Sequence, residues 1–187
     1  RRRVRRMISR RSFTVGLAAG AIAPAASAHT LYPQWVAYRR KHLLIGCHRK
    51  DAETFRLAEA LVAGINHALP TAKARAARAP HPERLASLIG TNQMEVAVLP
   101  VPEALAMRDG AGSFAPYGKI DLNQIAAFEN HILVAEAGFP DRHAWMLSAA
   151  IAEGDLALSS AGTKSLPFHP GVIARMDGVA LGDLAAN

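Results

Sequence analysis

The stretch "LLIGCHRKDAETFRLAEALVAGINHALP", residues 43–70, constrains the fold more than any other part of the chain. Leu43–Gly46 is a short apolar run ending at a glycine, as a buried strand does where it meets a loop. Behind it, Phe55, Ala58, Leu61, Val62, Ile65 and Leu69 recur every three or four residues. That spacing places them on one face of a helix over residues 52–69, with Asp51 at its N-cap and Pro70 ending it. A buried strand followed at once by an amphipathic helix is half of a βαβ unit, and a parallel sheet is its usual destination.

The rest repeats the alternation. Residues 71–79, "TAKARAARA", fit either a helix or an edge strand. A short helix is expected from Pro82 to Ile89, with Gly90 closing it. "MEVAVLP" (94–100) reads as a second strand, and "VPEALAMRDG" (101–110) as a helix closed by Gly110. Residues 111–118 form a loop. "DLNQIAAFENHILVAEAG" (121–138) holds one or two strands, with "HILVA" the clearest. "DRHAWMLSAAIAEG" (141–154) is a helix whose inward residues include Trp145, Ile151, Leu147 and Ala144. The expected class is α/β, with a mainly parallel sheet flanked by helices around a single core of roughly 130 residues.

The formal charge of +7 invites a nucleic-acid reading, but its distribution removes the support. Seven of the 22 basic residues are arginines within residues 1–28, a segment without a single acid; the remaining 15 face 15 acids. The basic balance belongs to a leader, and no nucleic-acid partner is expected. The leader runs from its arginines through "SRRSF" and a short Ala/Gly-rich apolar part, to Ala26-Ser27-Ala28. That part is too short for a membrane span of about 20 residues. The order is that of a signal peptide, and Arg10-Arg11 resembles a twin-arginine export pair. The organisation read here is a signal peptide (1–28), a polar and aromatic lead-in (29–42) and one α/β lobe (43–187), in the periplasm.

Cys47 is the sole cysteine, so no internal disulfide forms. Eight histidines call for a metal test. His81, His131, His143 and His169 are scattered, with no HxxxH or HxH spacing, and adjacent Cys47 and His48 chelate poorly. Neither a metal nor a cofactor is expected. No GxSxG, HExxH or P-loop pattern appears, so the expectation is non-enzymatic.

Several local patterns, taken in order, resemble the TAXI-type solute receptors of TRAP transporters. These are "LLIGCHRKDAETFRLAEALVAGINHALP", "RLASLIGTNQMEVAVLPVPEALA", "DLNQIAAFENHILVA" and, most specifically, "LPFHPGVIARM". Gly46, His169, Pro170 and Gly171 match the family pattern. Cys47-His48-Arg49-Lys50 replaces its glycine-rich ligand loop, Pro100 stands where a glutamine is expected, and Pro102 stands where an acid is. The resemblance implies one three-layer-like lobe of a periplasmic-binding-protein fold; a full receptor has two lobes, and this chain has room for about one. It also implies a small carboxylate-containing ligand, held at the loop Gly46, Cys47, His48 and Arg49, and service to membrane transporter subunits. The alternative is an accessory subunit that interacts with a larger periplasmic complex. At the HPG turn, Pro170 suits the first position of a helix and His169 its N-cap.

Overall fold

In a computed structural model of the chain, residues 42–154 and 166–184 are described. The segment read as a signal peptide and all of the expected lead-in except His42 lie outside these residues.

Five strands form one sheet: β1 (Leu44–His48), β2 (Arg75–Ala79), β3 (Val96–Pro100), β4 (Leu122–Phe128) and β5 (His131–Glu136), in the order β2-β1-β3-β5-β4. The helices are α1 (Ala52–Ala68), α2 (Pro82–Gly90), α3 (Val101–Asp109), α4 (Asp141–Glu153) and α5 (Pro170–Met176). β2, β1 and β3 are parallel, while β5 runs antiparallel to both β3 and β4. The fold is thus α/β, but the sheet is mixed rather than mainly parallel. The reason lies at Glu129-Asn130, a two-residue turn that folds β4 and β5 into a hairpin. A connection that short reverses the chain, whereas a parallel neighbour needs a crossover of a dozen residues or more.

Alternation along the strands builds two cores. On β3, Val96 and Val98 face one side and Ala97 and Leu99 the other; on β5, Leu133 and Ala135 oppose Ile132 and Val134. The first set packs with Ala58, Leu61 and Ile65 of α1 and Leu147 and Ile151 of α4. The second packs with Leu85 and Ile89 of α2 and Ala104 and Met107 of α3. Helix, sheet and helix make three layers, with a core on each face of the sheet.

Three further sequence expectations change. β1 does not end at Gly46 but runs on to His48, because Gly46 and Cys47 continue the ladder to Ala77 and Arg78. The ambiguous 71–79 segment resolves into a 3-10 turn at Pro70–Ala72 and an edge strand. The Asn66 side chain sets this connection: it accepts from the Ala74 N–H (2.7 Å) and donates to the Ala74 carbonyl (3.1 Å). Trp145 is only half-buried, and its indole N–H donates to the Val179 carbonyl (3.0 Å). α3 ends as its sequence implies, with Gly110 left-handed at φ 62°, a conformation glycine adopts without penalty.

The HPG turn closes the outer edge of β4. Gln124 N–H donates to the Pro167 carbonyl, and His169 N–H to the Gln124 carbonyl. His169 is fully buried and caps α5: the Gly171 N–H donates to its Nδ1 (3.3 Å). Asp141 Oδ1 lies 3.6 Å from the same nitrogen. Burial pushes this imidazole below its ordinary 6.5, against the charges of Asp141 and Glu136 and a bond to the Phe139 backbone. A base whose folded-state pKa is depressed is neutral in both states above pH 6.5 and adds no pH dependence there. Below 6.5 the unfolded chain takes the proton more readily, so stability falls as pH drops. Urea midpoints at pH 8, 7, 6 and 5 should decline below 6.5, by at most about 1.4 kcal/mol per pH unit for one proton. His169→Asn, which keeps a capping side chain, should flatten that decline. An equal slope in both proteins would remove His169 as its source.

Candidate functional site

In an open α/β sheet, ligands collect outside the carboxyl ends of the strands where the winding reverses. Here that place is between β1 and β3. From β1 the chain passes through α1 to β2 on one side, then through α2 to β3 on the other, and the two helices cover opposite faces.

Four titratable side chains meet at this edge. β1 ends on His48, which is wholly buried. Asp51 caps α1 and accepts the Glu53 N–H (2.9 Å). Thr54, also buried, ties cap to strand: its hydroxyl lies 2.8 Å from the Asp51 carbonyl and 3.2 Å from that of His48. β5 runs antiparallel, so its first residue, His131, arrives at the same edge opposite Pro100. Its Nε2 is 2.8 Å from Asp51 Oδ2. Glu103, in the first turn of α3, brings Oε2 to 2.9 Å from His48 Nε2.

Two imidazole–carboxylate pairs result, and they differ in quality. Burial pushes the Asp51 carboxyl up. The hydrogen bond to His131, the Glu53 N–H and the charges of His131 and His48 outweigh it and hold the group below the usual 3.8. The His48–Glu103 contact is close but not aligned for a hydrogen bond. Among the described residues, neither ring nitrogen of His48 nor Glu103 Oε2 has a hydrogen-bond partner. Buried polar atoms left in this condition are uncommon in folded proteins and cost about 1–3 kcal/mol each.

Of the four residues the sequence singled out, two reach this edge. His48 is at its centre, and Arg49 stands exposed in the turn just after it. Lys50 is exposed in the same turn. Gly46 is buried in mid-strand, where an added Cβ would press on Met94, Leu85 and Ala97. Cys47 points into the core, its thiol 3.6 Å from the Ala77 carbonyl. Burial pushes that thiol to about 11, with Arg78 lowering it and Glu59 raising it, so it stays protonated at neutral pH and is a poor nucleophile or ligand. His169 belongs to the β4 edge near the start of that strand, the opposite end of the sheet from His48.

Sequence reasoning missed Glu103 and His131 as site residues. Each carries a local signal: Glu103 is the first acid after β3, in the opening turn of its helix, and His131 opens the "HILVA" strand. What joins them is the antiparallel placement of β5, which no local pattern reveals.

Among the described residues, no helix is long and apolar enough to cross a membrane, and no group of three or more His, Cys, Asp or Glu side chains is arranged to hold a metal ion. No protein-family model matches the chain, and no curated protein matches it.

Proposed function

We propose that the chain is an exported, non-enzymatic solute-binding protein of the TAXI type, a receptor of TRAP-type transport in the periplasm. It holds a small carboxylate-containing solute at the carboxyl edge of β1 and β3. The observation that carries this reading is His48: a fully buried imidazole at the point where the winding reverses, close to Glu103 but with neither ring nitrogen hydrogen-bonded among the described residues. A solute carboxylate would accept from it. Arg49 and Lys50, both exposed just after it in the chain, add positive charge. The sequence likeness over "LLIGCHRKD" and "LPFHPGVIARM" supports the family reading, and the three-layer lobe is in keeping with it.

Calorimetric titration with succinate, glutamate and 2-oxoglutarate tests the proposal. At least one should bind saturably, and Arg49→Ala should weaken it about tenfold, the loss expected from a charge-assisted hydrogen bond. No heat from any of them, and no rise in melting temperature, would sink the solute-binding reading.

An accessory subunit of a larger periplasmic complex is the second reading. It is favoured by Ile173 and Met176, which stand three residues apart and exposed on α5. Pull-down from periplasm with wild type and Ile173→Asp/Met176→Asp separates the two: a partner lost only in the variant supports it.

A further inference from the structure

A second concave site lies at the other end of the sheet. At the amino ends of β1 and β3, a cavity of about 350 Å³ opens between Leu43, the turn at Thr71 and Ala72, and the first half of α4. That volume is within the range of small-molecule sites, about 300–1,000 Å³. It shares no residue with the cluster at His48, Asp51, Glu103 and His131, so the inference goes beyond the function proposed above.

Its floor is apolar, with Phe139 and Leu147 both nearly inaccessible to solvent. The polar groups of its lining are His42, Thr71, Glu95 and His143. Their charge balance is one-sided: one carboxylate and no lysine or arginine. Glu136 ends the neighbouring strand and its N–H donates to the Glu95 carbonyl (2.8 Å), while its own carboxylate accepts from the Gly138 N–H (2.8 Å). Phe139, whose ring centroid is 5.9 Å from that of His143, puts an aromatic ring in the same wall. A carboxylate at the mouth and an aromatic ring within make a setting for a positive head on an apolar body. An anionic solute, suited to the carboxyl edge, meets the wrong charge here.

We propose that this cavity binds a small arylalkyl ammonium ion, its ammonium on Glu95 and its ring against Phe139 and Leu147. The probes are tryptamine, its neutral alcohol analogue tryptophol and anionic indole-3-acetate, titrated into the full chain by calorimetry and by ligand-observed NMR. Tryptamine should bind saturably, at least fivefold more tightly than either analogue. Glu95→Gln, at an exposed position, should weaken tryptamine at least fivefold and leave tryptophol unchanged. Ala72→Trp, with circular dichroism confirming the fold, should remove binding of all three by filling the space. Absence of saturable tryptamine binding, equal affinity for the three probes, or indifference to Glu95→Gln would each overturn the proposal. Succinate competition adds a further check: tryptamine affinity should not change, whereas displacement would place both ligands at the carboxyl edge and defeat a separate site.

Discussion

Gly171→Ala should destabilise the protein by about 3 kcal/mol, the upper part of the range for adding a methyl group to a packed site. For a domain of this size, about 2–4 °C per kcal/mol translates this into a melting temperature lower by roughly 6–12 °C. The prediction rests on what the new methyl would meet. A Cβ on Gly171 would press on the Asp141 carbonyl oxygen and lie 2.8 Å from the Asp141 carbonyl carbon and 3.0 Å from its Cα. All three are backbone atoms at the first turn of α4, so no side chain can swing away. Gly46→Ala makes the contrast. There the nearest atom is the thioether sulfur of Met94, the far end of a flexible chain, with Leu85 at 3.0 Å and Ala97 at 3.2 Å. Met adapts to irregular space, so this variant should lose about half as much. If Gly171→Ala unfolds α5 alone, the Trp145 bond to Val179 goes with it, and indole fluorescence should shift before the global transition. A Gly171→Ala protein within 1 kcal/mol of wild type would show that α5 does not depend on this close approach.

The same glycine shows how much of the molecule is legible in the sequence. Helices announce themselves: Asp51 before a three-and-four spacing, Pro82 opening α2 and Gly110 closing α3 are local devices, and each element forms where its device stands. The HPG turn was readable as a helix start, with His169 at the cap and Pro170 in the first turn. That Gly171 is also the contact between two helices was not, because the partner, Asp141, is thirty residues away. β1 misled for a related reason. A glycine in an apolar run reads as the end of a strand, yet Gly46 is in the strand to let Met94 approach. The site followed the same rule. His48 and Arg49 adjoin a strand end and were visible, but the pairing of His48 with Glu103 and of Asp51 with His131 spans 55 and 80 positions. The hairpin that turns β5 against its neighbours, and so delivers His131 to the carboxyl edge, depends on the whole sheet rather than on any window of it.

His48→Leu should raise stability while removing solute binding, and the opposite signs separate a functional residue from a structural one. As folded, His48 buries two ring nitrogens without hydrogen-bond partners among the described residues. Leucine fills much of the same space and leaves no such atoms, so a gain of about 1–2 kcal/mol is expected, less than the sum of two orphaned groups because the packing is not identical. Glu103 can follow, since its side chain is 32% exposed and free to turn toward water once the imidazole is gone. The Thr54 bond to the His48 carbonyl is unaffected, being made to the backbone. His48→Ala should behave oppositely and cost about 2–3 kcal/mol, because it removes the polar atoms but opens a void between β1 and α3. Binding of the carboxylate solute should fall at least tenfold in both variants. If His48→Leu instead lost more than 1 kcal/mol, the ring would be shown to have structural partners, and the carboxyl edge would lose its strongest claim to a ligand. If stability rises and binding disappears, His48 is held at a cost to the fold, which is what a site maintained for its ligand looks like.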